Sequence, residues 1–251
     1  MNNVSRRTFL TTGAAAGTLL AGLGLSSRTD SQNVPAPAGS QAVPKFVSIV
    51  SSRPTAEEAK KLRAFQAGFL PRMIKAPGIL AIVVFARPAA GDERLASVWE
   101  SDKALTTYQA SDLGKEEAAF ESTLSTPVTR EQYPLIYYMP VQQPSQAFSQ
   151  TTQSAPRFFS IVSSRPSTAE APKMRSFQAG FLPRMIKAPG VLAILVYARP
   201  AAGDERLAAV WESEKALDAY RASDLGKEEV AFESTLSVMV TREAYPLINY
   251  L

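Results

Sequence analysis

In the first half of the chain, stretches with the hydrophobic pattern of a β-strand alternate with stretches that have the three-to-four-residue spacing of an α-helix. Phe46 to Ser52 is a β-branched and aromatic run, typical of a strand. From Ala56 to Lys75 apolar residues recur at spacings of three and four, which predicts a helix with one apolar stripe. Pro71 should kink or restart that helix. Two more strands, Ile79 to Ala86 and Arg94 to Glu100, are predicted to pair as a hairpin.

The second part of the same pattern predicts another helix and a last strand. Ser101 is a plausible cap for a helix through Lys103 to Tyr108, which continues after a break as Lys115 to Leu124. Val128 to Met139 is then an extended segment. The order is therefore βαββαβ, the ferredoxin-like arrangement of four antiparallel strands with both helices on one face.

The pattern occurs twice. Residues 45–139 and 157–251 align at a constant offset of 112 without a gap, with 73 of 95 positions identical, which indicates a tandem duplication. The strands are apolar on both faces, so the sheet face without helices needs a cover. We therefore predict an α+β fold in which two ferredoxin-like βαββαβ units, 44–139 and 157–251, pack their antiparallel sheets into one intramolecular, pseudo-dimeric barrel. Residues 140–156, rich in Gln, Ser, Thr and Pro, are the predicted polar linker.

Composition removes much of the usual catalytic repertoire. The chain has no cysteine and no histidine, which excludes disulfides, Cys or His nucleophile systems and His-ligated haem. Scattered carboxylates predict no metal site, and without a Gly-rich strand-to-helix turn we expect no flavin or nicotinamide cofactor. The net charge is only +4, and charged runs such as Asp92-Glu93-Arg94 and Lys115-Glu116-Glu117 indicate a solvated mixed surface. We expect no nucleic-acid partner.

Residues 1–43 have a pattern typical of a targeting signal. Ser5-Arg6-Arg7-Thr8-Phe9-Leu10 precedes a short apolar stretch rich in Gly and Ala, and Ala36-Pro37-Ala38 offers a cleavage site. This resembles a twin-arginine signal followed by a flexible leader. It implies the twin-arginine export machinery as a partner and a periplasmic or secreted protein. An uncleaved membrane anchor stays an alternative.

Several residues also carry a family resemblance. Trp99-Glu100-Ser101, followed by Tyr108-Gln109-Ala110-Ser111, is similar to antibiotic-biosynthesis-monooxygenase-like domains of the dimeric α/β-barrel superfamily, and Trp211-Glu212-Ser213 and Tyr220 repeat the signature. The resemblance implies activities that include cofactor-independent quinol oxygenation and haem degradation. Haem-degrading relatives have a Trp and, ten residues later, a His, where this chain has Tyr108 and Ala118. The His ligand of those relatives is missing.

The resemblance suggests aromatic groups around a ligand cavity. Trp99, Tyr108, Trp211 and Tyr220 are the candidate catalytic residues; the alternative for each is a core-filling side chain or one at the edge of an element. Candidate substrate-binding residues are Arg53, Tyr133, Arg165 and Tyr245, with a solvated rim as the alternative for the arginines.

The sequence as a whole predicts an exported barrel that binds a small apolar or aromatic molecule. Cofactor-independent monooxygenation of quinol-type substrates is the specific enzymatic hypothesis. The alternative is a non-catalytic ligand-binding or structural module of the same fold. Further oligomerisation stays open.

Overall fold

A computed structural model describes residues 45–87, 91–140, 157–199 and 203–251. The predicted leader, with its twin arginines and cleavage site, lies outside the described residues. So does the predicted linker apart from Pro140, which ends a strand. These assignments therefore stay predictions.

Each half contains four strands and three helices in the described ranges. The first half comprises β1 (Phe46–Ser52), α1 (Ala56–Met73), β2 (Ile79–Arg87), β3 (Asp92–Trp99), α2 (Asp102–Ala110), α3 (Asp112–Glu121) and β4 (Thr129–Pro140). The second comprises β5 (Phe158–Ser164), α4 (Ala171–Met185), β6 (Val191–Arg199), β7 (Asp204–Trp211), α5 (Glu214–Ala222), α6 (Asp224–Glu233) and β8 (Thr241–Tyr250). None of the helices in these ranges is long and apolar enough to cross a membrane.

Side-chain caps set several of the helix ends. Ser101 caps α2, as predicted, by accepting from the amide of Ala104. Ser111 then ends α2 and caps α3, accepting from the amide of Gly114, so the second predicted helix is two helices that meet at Ser111. The helix is not restarted at Pro71, so that part of the prediction is wrong. Pro71 lies in the last turn, where the helix loses one amide donor shortly before its own end.

The eight strands form one closed barrel in the order β1-β3-β2-β8-β5-β7-β6-β4, and the described pairings are antiparallel. The predicted closed antiparallel barrel is thereby confirmed. β4 pairs first with β1 and then, beyond Pro134, with β6 of the other half. β8 likewise passes from β5 to β2. Because proline has no amide hydrogen, Pro134 fits the point where the strand changes partners.

Alternate strand residues separate two environments. Val47, Phe85 and Val98 belong to the group of side chains that fills the barrel, together with their counterparts from the second half. Residues of opposite parity, such as Val84 and Trp99, pack outward against the helices. The outer core of each half also receives residues from the other half's last strand, for example Ile248 of β8. Each half therefore completes its packing with a strand of the other.

Candidate functional site

A small cavity lies between the outer face of the sheet and helices α1 and α3, with a counterpart in the second half. Each encloses about 40 Å³. We call them the first and the second pocket. The first is lined by Leu62, Phe65, Gln66 and Phe69 of α1, Glu93 of β3 and Phe120 of α3, among others. The matching lining of the second is Met174, Phe177, Gln178, Phe181, Glu205 and Phe232. The lining of both pockets is therefore mostly apolar and includes three phenylalanines, and in each an amide donates to one of three lining carboxylates.

The polar pair of the first pocket is incompletely satisfied. Glu93 is only 5% exposed, and the Gln66 amide nitrogen donates to its Oε1 at 3.3 Å. Burial raises the pKa of Glu93, against the opposing effects of Arg63, 3.9 Å away, and of Gln66. Gln66 Oε1 is itself buried, with no hydrogen-bond partner among the described residues. A buried acceptor without a donor costs about 1–3 kcal/mol, so a ligand that donates a hydrogen bond would be favoured there.

In the second pocket the equivalent amide oxygen and carboxylate both have donors. Arg175 donates to Gln178 Oε1 at 2.9 Å and forms an ion pair with Glu205. Gln178 also donates to Glu205 at 2.5 Å. The two pockets differ because the equivalent arginines take different positions. The side chain of Arg175 is 21% exposed, whereas that of Arg63 is 61% exposed and reaches into solvent. The two pockets share a lining pattern but not a hydrogen-bonding state.

The candidate catalytic aromatic residues lie beside these pockets, in the outer core. Trp99 and Tyr108 are buried with ring centroids 4.8 Å apart, and the Tyr108 hydroxyl donates to Glu117 at 2.9 Å. Trp211 and Tyr220 repeat the pair at 4.9 Å, with a 2.9 Å bond to Glu229. Burial, followed by the neighbouring carboxylate, raises the pKa of both tyrosines above its ordinary range. Each phenol is therefore a neutral donor held on a carboxylate, and that carboxylate lines the adjacent pocket.

The candidate binding residues lie elsewhere. Arg53 and Arg165 are exposed where β1 and β5 end. Tyr133 and Tyr245 pack against the barrel interior and pair with Val47 and Phe159, near the beginnings of those strands. Trp99 and Trp211 close β3 and β7 on the outer face, at the barrel end opposite to the two arginines. The run from Arg94 to Trp99 spans about 17 Å of strand. The eight predicted residues therefore do not form one site.

Sequence reasoning missed the acidic groups because it assigned them to a solvated surface. That assignment is wrong for Asp92, Glu93 and Glu117, which are 7%, 5% and 5% exposed. Each meets a donor: Asp92 accepts from arginines, Glu93 from Gln66 and Glu117 from Tyr108. The available signal was strand parity, since alternation along β3 places Glu93 on the same face as Trp99.

The described residues contain no group of three or more acidic, cysteine or histidine side chains that could hold a metal ion. The first pocket is lined by the Gln66 amide and by three carboxylates, of which Glu117 accepts from Tyr108 and Glu121 from Arg130. The remaining carboxylate, Glu93, and the Gln66 amide oxygen are acceptors towards a neutral ligand. This set suits an organic molecule with hydroxyl groups.

Comparison of the sequence with protein-family models and with curated proteins finds no match. Solved structures do match in fold. A protein of Fusobacterium nucleatum, provisionally named a monooxygenase, superposes with a TM-score of 0.70 at 8% identity, over 83% of this chain and 94% of its own. A similarly named protein of Lactobacillus acidophilus gives a TM-score of 0.67 at 13% identity, over 82% and 93%. The chain shares their monooxygenase-like fold. At such identities the likeness establishes the fold alone.

Proposed function

We propose that this protein binds a small aromatic molecule bearing a hydroxyl group in the first pocket, and that it oxidises that molecule with O2 without a cofactor. The observation that carries the proposal is the unsatisfied Gln66 Oε1 beside the buried Glu93 carboxylate, in a cavity walled by phenylalanines. A phenolic hydroxyl supplies the missing donor, and its ring is compatible with the apolar walls.

Glu93 is the proposed general base. A base is most effective when its pKa lies near the working pH, and burial moves the pKa of Glu93 upward. With one hydroxyl of a quinol donating to Gln66, Glu93 would take the proton of the other, leaving an electron-rich anion that reduces O2. Overall the quinol loses two electrons and two protons to O2, which gives the quinone and hydrogen peroxide. Tyr108, a neutral donor on Glu117, has a positioning role in this scheme: it fixes the carboxylate that lines the pocket.

The pocket must widen to admit a ring, because about 40 Å³ holds roughly three water molecules. Phe65 and Phe120 stack with ring centroids 4.1 Å apart, and both are only partly buried. Phe65 also stacks on Phe69, at 4.8 Å, and Phe69 is 1% exposed. Movement of Phe120 therefore opens the cavity and leaves the stack of Phe65 on Phe69 in place. The ligand ring would replace one partner of the stack.

Matched variants of the two pockets test the binding step. Hydroquinone is titrated calorimetrically into the full chain, with toluene as the probe that lacks hydroxyls. Gln66→Leu removes the acceptor and should weaken hydroquinone binding about tenfold, whereas Gln178→Leu should leave it nearly unchanged. Equal effects of the two substitutions, or equal affinity for toluene and hydroquinone, would contradict the proposed role of Gln66.

Oxygen consumption tests the reaction. A panel of quinols and polyphenols should show O2 uptake that Glu93→Gln abolishes and Glu205→Gln retains, because the second carboxylate is engaged by Arg175. Saturable hydroquinone binding without O2 uptake in the unmodified chain would instead support a non-catalytic binding module. Absence of both would exclude the first pocket as the functional site.

We also propose that each half corresponds to one subunit of a dimeric barrel and that the protein is exported by the twin-arginine route to the periplasm or medium. The paired arginines of the leader support the export proposal. Arg6→Lys/Arg7→Lys should stop export, and N-terminal sequencing of the exported form would locate the cleavage site. Export that continues unchanged in this variant would contradict the route.

A further inference from the structure

A second kind of cavity lies at the barrel end where β1 and β5 finish. One cleft, of about 560 Å³, is lined in part by Arg87, Arg165, Asp204, Arg206 and Glu243. Its counterpart, of about 520 Å³, is lined in part by Arg53, Asp92, Arg94, Glu131 and Arg206. We call them the large cleft and the small cleft. They are distinct from the first and second pockets, and Arg206 lines both.

Strand parity explains why this end is charged. Along β3, Val98 and Ala96 face the barrel interior, so Arg94 and Asp92 continue the same face towards the end of the barrel. The same alternation on β2 continues from Phe85 to Arg87. The interior lining therefore changes from apolar to charged side chains over the last positions of the strands.

Several of these charges are already engaged. Arg87 donates to the Tyr245 hydroxyl at 3.0 Å and contacts Glu243 at 3.1 Å and Asp92 at 3.3 Å. Arg165, in contrast, is exposed and forms no hydrogen bond or ion pair within the described residues. Arg206 is engaged as well, because its guanidinium forms an ion pair with Asp204, with Nε 3.4 Å from the carboxylate. The guanidinium of the large cleft that remains available is therefore that of Arg165.

The charges that line the large cleft do not balance. In the large cleft three arginines face two carboxylates, which leaves one positive charge. Arginine presents paired donors that match a carboxylate in two-point geometry. A monoanionic carboxylate would both neutralise the cleft and accept from the available guanidinium of Arg165.

The two clefts differ at their rims. Val238 and Met239 line the large cleft, where the small cleft has Thr126 and Pro127 at the corresponding positions. Met239 is 82% exposed, one of the most exposed large apolar side chains among the described residues. A flexible thioether chain suits an apolar ligand body, and the small cleft has no equivalent of it.

We propose that the large cleft binds a small amphipathic carboxylate, with its carboxylate on Arg165 and its apolar body against Val238 and Met239. The small cleft lacks this apolar rim, so the stoichiometry is one per chain. The ligand class differs from that of the first pocket, and neither site depends on the other.

The test is calorimetric titration of the full chain with sodium hexanoate, with acetate, hexanol and inorganic phosphate as comparison probes. Hexanoate should bind best, since acetate lacks the apolar body, hexanol lacks the charge and phosphate lacks both the planar carboxylate and the apolar body. Arg165→Gln should weaken hexanoate binding about tenfold, and the matched Arg53→Gln less than about threefold. Both arginines are exposed, so circular dichroism should show an unchanged fold.

A rim exchange completes the design. The double substitution Val238→Thr and Met239→Pro gives the large cleft the sequence of the small one. It should reduce hexanoate binding to the level of acetate. The proposal is overturned by absence of hexanoate binding, by equal affinity for hexanoate and acetate in the unmodified chain, by phosphate binding as tightly as hexanoate, or by equal losses in Arg165→Gln and Arg53→Gln.

Discussion

The indole Nε1 of Trp99 donates to Ser97 Oγ at 2.9 Å, two residues back on the same strand. In the second half that serine is replaced by Ala209, and Trp211 donates instead to Ser160 Oγ of β5 at 2.8 Å. The counterpart of Ser160 is Ser48, whose hydroxyl is buried without a partner among the described residues. The indole donors of the two equivalent tryptophans therefore have different acceptors in the two halves.

This difference predicts unequal costs for two serine substitutions. Ser97→Ala should be nearly neutral, because Trp99 can donate to Ser48 as its counterpart does to Ser160. Ser160→Ala leaves the indole of Trp211 without an acceptor and should lower the free energy of unfolding by about 1–3 kcal/mol. Urea unfolding of the two variants measures the difference. Equal losses would show that Ser48 cannot replace Ser97.

The buried tyrosine–glutamate bonds are alike in the two halves, so their removal should cost the same. Tyr108→Phe leaves Glu117 with Arg130 at 3.6 Å, and Tyr220→Phe leaves Glu229 with Arg242 at 3.6 Å. Each should lower the free energy of unfolding by about 1–3 kcal/mol, because a buried carboxylate loses a hydrogen bond. Thermal unfolding of both variants would check this, and a loss confined to one half would contradict the equivalence.

Much of the fold follows from the sequence, and the reasons are local. β1 has its predicted bounds because a β-branched run is delimited by Arg53-Pro54, and Ser101 caps α2 as its residue type suggests. The closed barrel follows from strands that are apolar on both faces. These features depend on patterns within a few residues.

The polar part of the candidate site could not be read in the same way. Asp92, Glu93 and Arg94 are adjacent in sequence, yet Glu93 faces the helices while Asp92 and Arg94 continue the barrel-interior face. Whether such a run is solvated depends on what packs over the strand end. The contrast between Arg63 and Arg175 is even harder to predict from the sequence, because the same residue type makes different contacts in the two halves.

A glycine between α1 and β2 offers a packing test. Gly78 has φ of 81°, and a Cβ there would lie 2.5 Å from the Cβ of Ala104 in α2. Gly78→Ala should therefore lower the free energy of unfolding by about 2–4 kcal/mol, through backbone strain and overpacking together. The control is Gly68→Ala in α1, where nothing lies within 4 Å of the added Cβ. It should raise the free energy of unfolding by about 0.5–1 kcal/mol. Chemical denaturation measures both variants, and a Gly78→Ala variant more stable than Gly68→Ala would contradict the predicted clash.

Glu58 predicts a pH dependence of stability with a definite sign. Its carboxylate accepts from the amides of Thr55 at 2.8 Å and Ser125 at 2.6 Å, and these bonds lower its pKa from 4.5 to about 2. The folded state therefore binds fewer protons than the unfolded state between these values. The stabilisation is complete above the unfolded pKa and is lost as the pH falls towards 2.

Glu58→Gln should accordingly lower the melting temperature at pH 7, with a difference from the unmodified chain that shrinks steadily below pH 4.5. Glu57→Gln is the control, since its ion pair with Lys60 is exposed and contributes little. Glu170→Gln should repeat the effect, because Ser237 and Ser167 lower the pKa of Glu170 to about 2 in the same manner. A loss in Glu58→Gln that does not change with pH would mean that the contact depends on shape and not on the charge of the carboxylate.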